Sequence, residues 1–149
     1  RDPQTAEGAF QAALTGHLVL STLHTNTAAG ALTRLQDMGV EPYLISATMR
    51  ATIAQRLLRR GCQHCGKDGV AQGCDECRGA GYSGRTVTYE ILEMTPELAS
   101  AINQGDNEPA LASLSRSQGA VAMADHAEQL RENGVTTAEE IARVLDSAR

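Results

Sequence analysis

Tryptophan is absent from this sequence, phenylalanine occurs once and tyrosine three times in 149 residues. The core must therefore be assembled from Leu, Ile, Val, Met and the 23 alanines, which favours close packing of small side chains. Long hydrophobic runs are missing too. With no basic stretch leading into an apolar one at the amino terminus, the chain is expected to be soluble and not secreted. Positive charge is in deficit, 13 Lys and Arg against 18 Asp and Glu for a net charge of −5, so there is no global basic footprint for nucleic acid. The remaining composition is ordinary: 42% hydrophobic and 21% charged residues exclude wholesale disorder, and the length suits one domain or two small ones. Arg1 is not a methionine, and Asp2-Pro3 opens directly onto a helix signal. The expectation is a piece of a longer protein.

Cysteine is sparse but concentrated. All four residues fall in the two pairs Cys62-Gln63-His64-Cys65 and Cys74-Asp75-Glu76-Cys77, separated by eight residues. Without a targeting signal, disulfides have little support. Two CxxC knuckles let four thiolates converge tetrahedrally on Zn²⁺, and Gly61, Gly66, Gly69, Gly73, Gly79 and Gly81 permit the tight turns required. Four ligands fill the coordination sphere, so the expected role is a structural staple. A redox dithiol and an iron–sulfur cluster are the alternatives.

Two other patterns overlap the knuckles. Gly61 to Lys67 fits the GxxxxGK opening of a phosphate-binding loop, but Asp68 stands where Ser or Thr should hold Mg²⁺. The second is CxxCxGxG at Cys74 to Gly81, nearly repeated from Cys62 to Gly69 with Lys67 replacing a glycine. It resembles the zinc module of Hsp40 chaperones, which normally has four repeats where this sequence has two.

Local signals divide the rest. Asp2 and Pro3 open a helix with Ala6, Ala9, Phe10, Ala13 and Leu14 on one face, ended by Gly16. His17 to Leu23 is short and mostly apolar, and reads as a buried, parallel strand. Asn26 is the expected cap of a helix carrying Ala28, Ala31, Leu32, Leu35 and Met38, closed by Gly39. From Pro42 a longer helix is expected through Leu44, Ile45, Met49, Thr52, Ile53 and Leu57 into the basic residues Arg56, Arg59 and Arg60. Thr86 to Ile91 alternates as a strand. The last third is helical, with starts at Thr95-Pro96 and Asn107-Pro109. A third helix carries Val121, Ala124, Ala127 and Leu130 and stops at Gly134. The last has a capping box at Thr136-Thr137-Ala138-Glu139 and Ile141, Val144 and Leu145 inward.

The His24-Thr25-Asn26 junction lies where such a strand would end and a helix begin. Parallel sheets bind ligands at the carboxyl ends of strands, and helix amino termini offer N–H groups to anions. His24 there is either a structural histidine bonded to backbone or a contact for a phosphate oxygen. His17 has a weaker case, and His64 and His126 are bystanders.

The segment Thr15-Gly16-His17-Leu18-Val19-Leu20-Ser21-Thr22-Leu23-His24-Thr25-Asn26 resembles the His box of the secretion ATPases that drive type II secretion and type IV pilus assembly. Arg1-Asp2-Pro3-Gln4-Thr5-Ala6 resembles the stretch after their Walker B glutamate, with Gln4 where the family usually has Glu. Arg34 to Gly39, Gln55-Arg56-Leu57, Gly84-Arg85, Tyr89 to Leu92, Gly134 to Thr137 and Glu139-Glu140 extend the resemblance over nearly the whole chain. Two further departures are Val87 in place of a glycine and the eight-residue interval between cysteine pairs, shorter than the family's usual one, which implies a trimmed zinc subdomain.

The resemblance implies an α/β fold: the carboxy-terminal portion of a RecA-like P-loop ATPase core over residues 1–60, a tetracysteine zinc subdomain over 61–86 and a helical carboxy-terminal region over 87–149. It implies a hexamer that binds ATP and Mg²⁺ between subunits and passes domain rotations to inner-membrane secretion or pilus platform proteins. Such a motor would sit in the cytoplasm of a bacterial cell, at the membrane face through its partners, and bind no nucleic acid. The tetracysteine segment favours the secretion or assembly branch over pilus-retraction relatives. His24 would contact the terminal phosphate with His17 in support, while Cys62, Cys65, Cys74 and Cys77 would hold zinc. The P-loop, catalytic glutamate and arginines would lie upstream of Arg1, so this chain alone would not hydrolyse ATP. Two other classes compete: an Hsp40-like module for unfolded chains, which leaves the His-box strand and helical tail unexplained, and a zinc-ribbon nucleic-acid binder using Arg50, Arg56, Arg59, Arg60, Arg78 and Arg85, which the net charge opposes.

Overall fold

The computed structural model describes residues 2–65 and 74–146. Within them the chain runs through helices α1 (Pro3–Leu14), α2 (Ala28–Asp37) and α3 (Pro42–Thr48), then strands β1 (Ala51–Gly61) and β2 (Tyr82–Glu93). Helices α4 (Pro96–Gln104), α5 (Glu108–Ser117), α6 (Met123–Glu132) and α7 (Ala138–Leu145) follow. The two strands pair as one sheet. The chain divides into two compact units, one of Arg1–Ala54 and Ile91–Ala120, the other of Gln55–Glu90 and Val121–Arg149, so each strand contributes to both.

The first unit is helical, and most of its helices begin as the sequence dictates. Asp2 caps α1 by accepting the Thr5 N–H at 2.9 Å and the Thr5 hydroxyl at 2.8 Å. These two bonds, the backbone one first, hold its carboxyl below the ordinary range. Thr95 and Asn107 cap α4 and α5 in the same way, each with a proline in the first turn. α3 packs on α4 and α1, and α2 on α5. Leu32, Ile45, Leu98, Ile102 and Leu111 lie fully buried between them, each worth about 1.5–3 kcal/mol relative to exposure.

Several sequence expectations are corrected here. The run His17 to Leu23 forms no strand: it has no regular structure, and Leu18 and Leu20 are 85% and 88% exposed. A strand is stable only beside a partner, and the described residues pair none with it. The cap of α2 is Thr27 rather than Asn26, because only Thr27 places its hydroxyl oxygen within 2.9 Å of the Gly30 N–H in the first turn. The helix from Pro42 stops at Thr48, and residues 51–61 are strand β1. Thr52, Ala54 and Leu58 are buried while Ile53, Gln55 and Leu57 are exposed, a period of two. The Met94 N–H on the Arg50 carbonyl at 2.9 Å and the Cys62 N–H on the Gly81 carbonyl at 2.8 Å tie the two ends of this hairpin.

Among its described residues the second unit buries few large apolar side chains, and it relies on polar ties. Leu58, Met123 and Ala127 are buried, and the Thr88 hydroxyl, also buried, donates to the Met123 carbonyl at 2.9 Å. Met123 and Ala127 are the inward positions of α6; Val121 precedes the helix and Ala124 is exposed, contrary to the expected register. Ala122 has no side chain to cap α6, and the Glu90 carboxylate accepts the Met123 N–H instead, at 3.3 Å. The capping box of α7 is shifted by one residue. Thr137 is the cap, accepting the Glu140 N–H at 3.2 Å, while the Thr136 hydroxyl donates to the Arg59 carbonyl at 2.8 Å. Ile141, Val144 and Leu145 are half-buried. No helix among the described residues is long and apolar enough to cross a membrane.

Candidate functional site

The hairpin ends in the cysteines. Cys62 follows β1 directly, and Cys77 lies in the turn that leads into β2. Arg78, Gly79 and Gly81 adopt left-handed φ of 52°, 77° and 74°, which curls the backbone so that the Gly81 N–H meets the Cys77 sulfur at 3.3 Å. A β-carbon is costly in that region, so the two glycines are suited to it. All four Sγ atoms lie within 4.8 Å of one another, with Cys62 to Cys74 at 3.8 Å and Cys65 to Cys77 at 3.5 Å. A tetrahedral ion with metal–sulfur bonds of about 2.3 Å sets its sulfurs about 3.8 Å apart. The four side chains therefore fit a metal ion, and none is in a disulfide.

Their electrostatics differ. Burial pushes the Cys77 thiol up, but the Gly81 N–H, with the Cys65 and Cys74 thiols and the Gly79 N–H, outweighs it and brings the group down to about 7. Cys65 is pushed up to about 12, first by its hydrogen bond to Cys62 and then by burial. Of these two thiols, Cys77 is the readier to bind as thiolate. His64 is exposed and does not join the cluster. Gly66, Lys67, Asp68, Gly69 and Gly73, on which the phosphate-loop pattern and part of the Hsp40-like pattern rest, lie outside the described residues.

The two histidines of the resemblance lie on the irregular segment between α1 and α2, and both are exposed. The Nδ1 of His17 is 3.0 Å from the Thr15 hydroxyl and 3.2 Å from the Ala12 carbonyl, which anchors it to the end of α1. His24 has no hydrogen-bond partner among the described residues and is followed by Thr25, whose hydroxyl donates to the Thr27 carbonyl at 3.2 Å. The first turn of α2 differs from an open anion cradle: the Gly30 N–H is taken by Thr27, whose hydroxyl in turn donates to Glu108 Oε1 at 2.5 Å.

Sequence reasoning missed one conspicuous group. Glu140 is fully buried, and its carboxylate accepts the Arg59 N–H at 2.9 Å, Arg59 Nε at 2.8 Å, and Arg143 Nε and Nη2 at 2.8 and 2.6 Å. The Arg143 bonds, followed by those of Arg59, overcome burial and lower its carboxyl to about 2. Tyr82 lies under the Arg59 guanidinium, 4.1 Å from its ring centre, and its hydroxyl is 2.6 Å from that of Thr137. This clamp joins α7 to the root of the cysteine turn. The Glu140/Arg143 spacing on α7 was a visible signal, but Arg59 was not. His126 has a packing role in the second unit: its Nδ1 accepts the Tyr89 N–H at 3.2 Å and its ring centre lies 4.3 Å from that of Tyr89.

Comparison with known proteins gives this geometry a context. The family model described as "Type II/IV secretion system protein" matches residues 1–143. The type II secretion system protein HxcR of Pseudomonas aeruginosa is 47% identical over 99% of the chain, which spans 32% of that relative. The type IV pilus assembly ATPase PilB of Thermus thermophilus is 38% identical over 98% of the chain and 19% of its own length. Among solved structures, the pilus retraction motor PilT with bound ADP superposes on 96% of the chain and 36% of its own with a TM-score of 0.71 at 28% identity. Its RecA-like architecture agrees with the α/β class expected from the sequence.

Proposed function

The chain belongs to the type II/IV secretion system protein family, and on that premise we propose that it is the carboxy-terminal portion of a hexameric ATPase that powers type II secretion or type IV pilus assembly. The observation that carries the reading is the near-complete coverage of this chain by relatives of which it is about a third, with the histidine segment inside the match. Residues 1–60 would complete the ATPase core, 61–86 the metal subdomain and 87–149 the helical region. The motor would work in the cytoplasm at the inner-membrane face, held there by the platform proteins it drives.

The residues at hand divide the labour. Cys62, Cys65, Cys74 and Cys77 would hold Zn²⁺ as a structural staple, a reading supported by the sulfur spacing and by a donor set that, among the described residues, consists of these four thiols. Bound ATP with Mg²⁺ supplies the phosphoryl group whose hydrolysis drives the motor. His24 would donate a hydrogen bond to its terminal phosphate, which its ring, exposed and without a hydrogen-bond partner among the described residues, leaves it free to do. His17, anchored on the end of α1, would fix the other end of the loop.

Steady-state turnover tests the division. The purified chain is expected to show no ATP hydrolysis, since the lysine and metal ligand that phosphoryl transfer needs are not in it. In the longer protein, His24→Ala is expected to lower kcat by roughly ten- to a thousand-fold with metal content unchanged. Hydrolysis by the chain alone, or a His24→Ala enzyme at the parental rate, would overturn the assignment.

A further inference from the structure

Glu108 occupies an unusual position, in the first turns of two helices at once. It is the first residue of its own helix α5, where Asn107 caps by accepting the Ala110 N–H at 3.1 Å and Pro109 fixes the backbone. Its side chain reaches the amino end of α2, where Oε1 accepts the Thr27 hydroxyl at 2.5 Å. A carboxylate is favoured at each amino terminus by the exposed N–H groups and the helix dipole, and a bond this short belongs to the charge-assisted class.

Gly30 leaves room for the approach. A β-carbon there would lie 2.8 Å from Thr27 Oγ1 and 3.2 and 3.3 Å from the two Glu108 oxygens. Glycine inside a helix costs about 0.5–1 kcal/mol relative to alanine, and the room it leaves is filled by this carboxylate. The Thr27 hydroxyl is thus engaged in both directions: it accepts from the Gly30 N–H and donates its proton to Glu108. Thr27 then holds Thr25 through its carbonyl, and Thr25 adjoins His24.

The geometry points to Glu108 as a positioning residue for the histidine loop. By fixing the Thr27 hydroxyl it sets where α2 begins and, through Thr25, the direction from which His24 leaves the fold. The inference rests on the reading of His24 as the phosphate contact, and it adds a residue 84 positions downstream in sequence to that site.

Two measurements separate the inference from the reading beneath it. In the 149-residue chain, NMR hydrogen exchange at Gly30 and the imidazole resonances of His24 report the loop directly. Glu108→Ala and Thr27→Val are both expected to raise Gly30 exchange by roughly tenfold or more and to shift or broaden the His24 resonances, while Thr27→Ser, which keeps the hydroxyl, retains the parental pattern. A merely structural role would destabilise the unit without moving His24 in the folded state. In the longer protein, Glu108→Ala is expected to lower kcat by roughly ten- to a hundred-fold with KM nearly unchanged, as misplacement of a reacting group does. Unchanged Gly30 exchange and His24 resonances in Glu108→Ala and Thr27→Val would overturn the positioning role whatever the turnover. Altered resonances with normal turnover in both Glu108→Ala and His24→Ala would instead leave Glu108 as the organiser of the loop and remove His24 from the chemistry.

Discussion

Replacing Glu140 by glutamine keeps the shape of a fully buried side chain and removes the charge that two guanidiniums share. In the folded chain this carboxyl titrates at about 2 rather than its ordinary 4.5, a difference worth about 3 kcal/mol. The arginine side chains are 44% and 57% exposed, so solvent weakens the pair and about 2 kcal/mol is the better expectation. The pH dependence follows from the direction of the shift. Because the folded group is the stronger acid, its stabilisation is complete above 4.5, declines as the pH falls and is gone near 2. Urea unfolding of the parental chain and Glu140→Gln, from neutral pH down towards about 3, reads this as a gap between two curves. Thiol protonation in acid affects both proteins alike and cancels in the difference. A gap absent at pH 7, or one that keeps its size as the pH falls below 4.5, would refute the argument.

Three other outcomes are expected. Elemental analysis should find one Zn²⁺ per chain, with chelation loosening residues 61–84; iron, or four free thiols with no metal, would sink the zinc assignment. Leu58→Ala should cost about 2–5 kcal/mol, at the upper end because Leu58 is among the few large apolar side chains buried in its unit, and a loss below about 1 kcal/mol by thermal unfolding would contradict that core. His126→Ala removes the acceptor of the Tyr89 N–H and should lower stability by about 1 kcal/mol while leaving metal content untouched; a change in metal content would show that its role extends to the cysteines.

The sequence was most informative where the determining physics is local. Asp2-Pro3, Thr95-Pro96 and Asn107-Pro109 each satisfy their own helix's first N–H groups within three residues, so the helix starts were readable without knowing the fold. The paired cysteines were readable for the same reason. Residues 51–61 were not, because Thr52, Ile53, Leu57 and Leu58 suit a helical face as well as an alternating strand. The choice is made by hydrogen bonds to residues 82–93, which no window on β1 contains.

The same limit separates the two halves of the candidate sites. His24 was proposed from its neighbours in sequence, but what holds its loop is a carboxylate reaching Thr27 from 81 residues away, and the Arg59–Glu140 clamp beside the cysteine turn spans the same separation. Carboxylates in a helix's first turn are so common that neither position stands out by residue type. What distinguishes them is an independent vacancy on the facing element: the missing β-carbon of Gly30 for Glu108, and the donor fork of Arg59 on a strand edge for Glu140. A β-carbon at Gly30 would press on its own helix's cap, Thr27 Oγ1 at 2.8 Å, and on the Glu108 oxygens at 3.2 and 3.3 Å, so the glycine serves the local cap and the distant carboxylate together. The first of these is visible in the sequence around Thr27; the second is the contact linking α5 to the histidine loop, and only the fold supplies it.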